Sequence, residues 1–131
     1  MKKIFSTTIA CVMTFLGFSC QDKPNFSSVS VDEFATVIAD ADVVVLDVRT
    51  ADEHQAGCIE GTTLHIDVLK SNFDSLAVAS IRKGSTVALY CRSGNRSKRA
   101  ASQLSEKGFK VIELATGYNG WIDAVRNTSE E

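Results

Sequence analysis

The chain has 131 residues, with 14 basic and 16 acidic side chains, 44% hydrophobic residues and four cysteines. That length holds one ordinary domain and excludes a pair of large modules, while the apolar fraction and near-neutral charge exclude a disordered chain. A formal charge of −2 excludes a general nucleic-acid binder, and four cysteines without a CxxC or HxxxH pair suit neither a disulfide scaffold nor a structural zinc site.

In chain order, the first signal is an address. Met1-Lys2-Lys3 precedes an uncharged run of 16 residues, Ile4 to Ser19, which is shorter than the ~20 residues that span a bilayer comfortably. The run stops at Leu16-Gly17-Phe18-Ser19-Cys20, which resembles a bacterial lipoprotein signal. The resemblance implies cleavage after residue 19 and lipidation of Cys20. It also implies export to the cell envelope or periplasm, with the protein held at a membrane by that lipid. Residues 20–25 read as a polar tether, residues 26–126 as the folded domain and residues 127–131 as a frayed tail. Without residues 1–19 the chain has 112 residues, 12 basic and 16 acidic, for a formal charge of −4.

Phe26 to Val29 reads as a weak edge strand. Ser30-Val31-Asp32-Glu33 has capping-box spacing and opens a first helix. Val43-Val44-Val45-Leu46 is a continuous apolar run, as expected of a strand covered on both faces. Thr50-Ala51-Asp52-Glu53 repeats the capping-box spacing before a short second helix. Leu64-His65-Ile66 is a further strand candidate, followed by a helix over 72–80 with Phe73, Leu76 and Ala77 on one face. Val87-Ala88-Leu89-Tyr90 is a second continuous apolar run. A helix over 96–107 presents Ala100, Ala101 and Leu104 inward, and Gly108 stops it. Val111-Ile112 is a last strand, and a final helix includes Trp121, Ile122 and Val125. This alternation predicts an α/β fold, with about five strands in a mainly parallel sheet and helices on both faces. Active sites in such sheets sit beyond the carboxyl ends of the strands.

Cys91 stands at such an end. After Val87 to Tyr90 come Cys91-Arg92-Ser93-Gly94-Asn95-Arg96-Ser97, a turn into a helix. Gly94 and Asn95 tolerate the backbone of a tight loop. Successive amides of such a loop form an anion nest, to which the helix start adds its partial positive charge. A thiol in that field is expected to ionise easily, and the thiolate is the attacking form. Residues 92–99 carry Arg92, Arg96, Lys98 and Arg99 and no acid, a local charge of +4. The rest of the chain beyond residue 19 has 8 basic and 16 acidic residues, so the loop is expected to draw in a small anion.

These segments resemble the rhodanese (thiosulfate sulfurtransferase) family over roughly Phe26 to Val125. Asp47-Val48-Arg49, Asp52-Glu53 and Gly57-Cys58-Ile59-Glu60-Gly61 look like its first motif. Cys91 to Ser97 looks like its active-site loop. Gly108-Phe109-Lys110-Val111 and Gly117-Tyr118-Asn119-Gly120-Trp121 look like its closing segments. The resemblance implies a sulfurtransferase in which Cys91 takes sulfur from a small anionic donor such as thiosulfate and passes it to a thiol acceptor or cyanide. It assigns Arg92, Ser93, Gly94, Asn95 and Arg96 to the cradle around a Cys91 persulfide. It makes Asp47 and Arg49 a structural ion pair. No cofactor or metal is called for. The loop from Cys91 to Arg96 has six residues, and the resemblance implies the form associated with sulfur transfer in the family, whereas related phosphatases use Cys-x5-Arg.

Cys58 departs from the family pattern, standing where a His is common. It is either a packed, inert thiol or a redox partner of Cys91. His54 reads as a surface residue and His65 as packed or hydrogen-bonded. Two other functions stay open: a thiol–disulfide redox protein using Cys91 with Cys58, and a noncatalytic rhodanese-like binding module.

Overall fold

The computed structural model describes residues 25–131. The signal, Cys20 and the tether up to residue 24 lie outside the described residues. Five strands alternate with five helices: β1 (Ser27–Val29), α1 (Val31–Ile38), β2 (Val44–Asp47), α2 (Ala51–Ala56), β3 (Leu64–His65), α3 (Phe73–Ser80), β4 (Thr86–Tyr90), α4 (Asn95–Glu106), β5 (Lys110–Leu114) and α5 (Gly117–Ser129). The strands form one sheet in the order β1-β5-β4-β2-β3. Every pairing is parallel.

The continuous apolar runs are explained by two cores. On one face, Phe73, Ala77 and Ile81 at α3 and Ala100, Ala101 and Leu104 of α4 cover Leu46, Val87, Leu89 and Val111. On the other, Phe34 of α1 and Trp121 and Tyr118 of α5 cover Val45, Ala88, Tyr90 and Leu114. Neighbouring strand residues point to opposite faces, so Val45 and Leu46 enter different cores. Phe34, fully buried, meets Tyr90 and Trp121 edge-on at 6.4 and 6.2 Å between ring centroids.

Both expected caps form. The Ser30 hydroxyl accepts from the Glu33 amide at 3.3 Å. At Thr50 the box is reciprocal, with the Glu53 amide donating to Thr50 Oγ1 and the Thr50 amide donating to Glu53 Oε1. Three details differ from the sequence reading. Leu76 and Val125 are 43% and 49% exposed, because neither helix needs its whole apolar stripe to cover a narrow sheet. The final helix continues to Ser129 instead of fraying at Asn127, and the Thr128 and Ser129 hydroxyls donate to carbonyls one turn back. The helix expected from residue 96 starts at Asn95.

The sheet order places the functional region. After β2 the chain steps outward to β3, and after β4 it steps the other way to β5. The carboxyl ends of β2 and β4 therefore flank the point where the winding reverses, where a crevice opens. Arg49 follows one of these ends and Cys91 the other, joined by the bond from the Val48 amide to the Tyr90 carbonyl at 3.0 Å.

Candidate active site

Cys91 is 1% exposed, directly after β4. No side chain caps the start of α4, whose preceding residue, Gly94, has φ +105°. The Cys91 sulfur takes that role, accepting from the Gly94 amide at 3.1 Å. The loop's carbonyls are engaged elsewhere. The first turn of α5 donates to them, Tyr118 N to Cys91 O at 2.8 Å and Asn119 N to Arg92 O at 3.0 Å. With its carbonyls satisfied outward, the loop is free to turn amides toward the sulfur. Burial pushes the thiol pKa up. The hydrogen bond it shares with the Ser97 hydroxyl and those from the Ser97, Gly94 and Ser93 amides outweigh that, and the net shift is downward.

The charge around the loop is more compensated than composition implies. Arg96, expected to attract the anion, grips Glu53 of α2 through Nη1–Oε1 at 2.6 Å and Nη2–Oε2 at 2.9 Å. This fork raises the Arg96 pKa and holds Glu53 at about 2. Lys98 Nζ lies 3.0 Å from Glu113. Of the four cations in residues 92–99, two are thus paired with acids from other elements. Arg92 is exposed and lines a pocket of about 270 Å³ with Arg49, Glu53, Ala56, Gly57, Tyr118 and Asn119. Arg92 and Arg99 remain, both exposed, and of the two Arg92 is the one in this pocket's lining, while Arg96 braces the loop against α2. Ser93 and Asn95 are exposed, and Gly94 is buried.

Asp47 and Arg49 pair as the resemblance implied, with Arg49 Nη2 at 2.7 Å from Asp47 Oδ2 and both residues buried. Arg49 also donates to the Gly57 carbonyl at 2.6 Å and stacks over the Tyr118 ring at 4.2 Å. Burial pushes the Asp47 pKa up, but the bonds from Arg49 and His54 hold it below the ordinary value. His54 is not the plain surface residue expected. Its Nδ1 lies 2.9 Å from Asp47 Oδ2, and its ring stacks on His65 at 4.3 Å. His65 is hydrogen-bonded, Nε2 to the Arg49 carbonyl at 2.8 Å. This cluster ties α2, β2 and β3 together behind the site.

Cys58 and Cys91 are both free thiols, the first exposed and the second buried. Beside Cys58, the amide of buried Ile59 lies outside the helices and strands and donates to the Tyr90 hydroxyl at 3.1 Å.

Two residues were missed in the sequence. The Cys91 thiol donates to Ser97 Oγ at 3.4 Å, and Ser97 Oγ donates to Glu113 Oε2 at 2.6 Å. Glu113 is fully buried in the middle of the sheet. Its signal was an acid inside the apolar run Val111-Ile112-Glu113-Leu114, where a charge survives only with partners.

A buried cysteine at the sulfur end of an amide-lined loop, set between the β2 and β4 ends of a parallel sheet, defines a cysteine-based anion-loop domain of α/β type. The model of the rhodanese-like domain matches residues 30–124, and the chain belongs to that family. It is 32% identical over 81 residues to a sulfurtransferase of Allochromatium vinosum, covering 61% of this chain and 72% of that protein. It is 40% identical over 83 residues to a tRNA sulfurtransferase of Aeromonas salmonicida, covering 60% of this chain but only 16% of that longer protein. A rhodanese-related protein of Thermoplasma volcanium superposes with a TM-score of 0.64 at 24% identity, covering 76% of this chain and 93% of that one. At the level of family, the protein is a rhodanese-type domain related to sulfurtransferases.

Proposed function

We propose that the protein transfers sulfane sulfur from a small anionic donor, thiosulfate or a compound of like charge and size, to a thiol through a persulfide on Cys91. The observation that carries this reading is the Gly94 amide on the Cys91 sulfur at 3.1 Å, within a loop whose hydrogen bonds favour the thiolate.

In the first half-reaction the Cys91 thiolate attacks the outer sulfur of thiosulfate. The new S–S bond forms as the old one breaks, and sulfite leaves with the bonding pair. The charge left on the outer persulfide sulfur lies in the amide nest. In the second, an acceptor thiolate attacks that outer sulfur, Cys91 departs as thiolate and the acceptor carries the persulfide away. Burial of Cys91 favours slim donors, and exposed Arg92 offers the charge that draws them in. A loop of six residues encloses one sulfur more closely than a tetrahedral phosphate, which supports sulfur over phosphoryl chemistry. Anchorage of the domain to an envelope membrane through lipidated Cys20 completes the reading, and the intact mass of native protein checks it: a retained Met1 or an unmodified Cys20 overturns that part.

The test of the reaction is the intact mass of the protein after incubation with thiosulfate. A stable gain of one sulfur atom, absent in Cys91→Ser, is expected. Loss of two hydrogens on separate exposure to an oxidant such as oxidised glutathione, dependent on Cys58, would favour the redox reading, and no change with either thiosulfate or the oxidant would favour a binding module. Phosphate-ester turnover abolished by Cys91→Ser would overturn the assignment to sulfur.

A further inference from the structure

Glu113 has no part in the sulfur chemistry just described, yet it is the buried charge nearest the nucleophile's hydrogen-bond chain. It is fully buried on β5. Its Oε2 accepts from Ser97 Oγ at 2.6 Å, and its Oε1 accepts from Lys98 Nζ at 3.0 Å and from the Ser28 hydroxyl of β1. Three donors and no acceptor mark it as a carboxylate. Ser97 has one hydroxyl proton. With Cys91 as a thiol, the sulfur donates to Ser97 and Ser97 donates to Glu113, so every group is satisfied. Once Cys91 loses its proton, two anions face the same hydroxyl, and it can serve only one of them.

We propose that Glu113 and Cys91 compete for the single hydroxyl proton of Ser97, so that the buried carboxylate destabilises the resting thiolate and favours the sulfur-loaded cysteine. Loading moves the negative charge from Sγ to the outer sulfur, away from Ser97. The hydroxyl then returns to Glu113 and the competition ends. Glu113 touches no reacting atom and acts through Ser97, as a positioning residue. The effect on loading rests on the sulfurtransferase reading, whereas the competition itself does not.

The other charges facing this chain are accounted for. Lys98 of α4 is half-exposed, neutralises Glu113 from outside and also donates to the Gly94 carbonyl at 3.1 Å. Arg96 of α4 senses the Cys91 charge and is paired with Glu53 of α2. Arg92 is exposed at the pocket mouth. The charge of Glu113 is thus offset chiefly by Lys98, and Lys98 is the second handle on the competition.

The test is the pH profile of Cys91 alkylation by iodoacetamide in the full chain, followed by the mass of the Cys91 peptide. Glu113→Gln keeps the shape, and its amide can donate to Ser97, turning the hydroxyl to sulfur. Its midpoint is expected to fall by about one pH unit, about a tenfold gain in thiolate well below the midpoint. Ser97→Ala should raise the midpoint, and in that background Glu113→Gln should shift it by less than half as much. Lys98→Met should raise it by roughly half a unit, by uncovering the Glu113 charge. An unchanged or raised midpoint in folded Glu113→Gln overturns the proposal. If that variant fails to fold, an unchanged midpoint in Lys98→Met overturns it instead. Loading is read separately, as the persulfide fraction at fixed thiosulfate and sulfite, expected to drop several-fold in Glu113→Gln. No loading in any variant would refute the sulfur-transfer reading and the loading claim while the midpoints still decide the competition.

Discussion

Replacing Gly94 with Ala tests whether the loop's shape or only its sequence makes Cys91 reactive. Gly94 sits at φ +105°, and an added Cβ would lie 2.2 Å from the Ala115 carbonyl oxygen. A comfortable carbon–oxygen contact is about 3.3 Å or more, so roughly 1 Å must be found. Ala115 cannot easily supply it, because its amide bonds to the Val29 carbonyl at 3.0 Å, tying it to β1. The loop must move, and the Gly94 amide moves off the sulfur. The cost is about 1–2 kcal/mol for positive φ on a residue with a Cβ, plus about 1–3 kcal/mol for the collision. At about 4–8 °C per kcal/mol for a domain of this size, Tm should fall by roughly 10 °C or more. Gly108→Ala is the control, since its φ is +90° but an added Cβ meets nothing within 4 Å. It should lose only the backbone cost and leave Cys91 untouched. Thermal unfolding and the alkylation profile of the Cys91 peptide are measured together. Equal Tm losses in the two variants, with the Cys91 midpoint unmoved in Gly94→Ala, would refute the reasoning.

Further outcomes are expected. Arg49→Lys and Arg49→Met should both destabilise by about 3–5 kcal/mol in denaturant titration, because each leaves the Asp47 carboxylate buried without its fork and Lys cannot also span Gly57 and Tyr118. Glu53→Gln should be less stable than the wild type at neutral pH. Because the folded pKa is depressed to about 2, Glu53's contribution is complete above its ordinary range near 4.5 and disappears as pH falls toward 2, which paired unfolding curves across that window would reveal. Arg92→Ala should raise KM for an anionic donor several-fold with little change in Tm, and the effect should shrink with added salt, since Arg92 is exposed. A KM insensitive to both the substitution and salt would remove Arg92 from donor capture.

Much of the fold was legible because local signals agreed with one another. Apolar runs at Val43 to Leu46 and Val87 to Tyr90 require cover on both faces, and the structure supplies it with α3 and α4 on one side and α1 and α5 on the other. The Thr50 box formed because both partners lie within one turn. Leu76 misled because periodicity identifies an apolar stripe but not the width of the sheet that meets it. His54 misled because it lies on α2 while its partners, Asp47 and His65, come from two strands.

The same division holds at the site. The sequence by itself determined the loop cysteine, the loop length and the strand-to-helix turn that carries them, since these depend on neighbours within a few residues. Tertiary structure decided which charges remain available there. Arg96 is spent on Glu53, 43 residues away, and Lys98 on Glu113, so a local +4 leaves exposed Arg92 and Arg99, of which Arg92 lines the pocket. It also decided that a buried carboxylate stands behind the sulfur, two hydrogen bonds removed. Charges act through space, and their partners come from whichever strands the sheet order sets side by side, a relation that no spacing along the chain encodes.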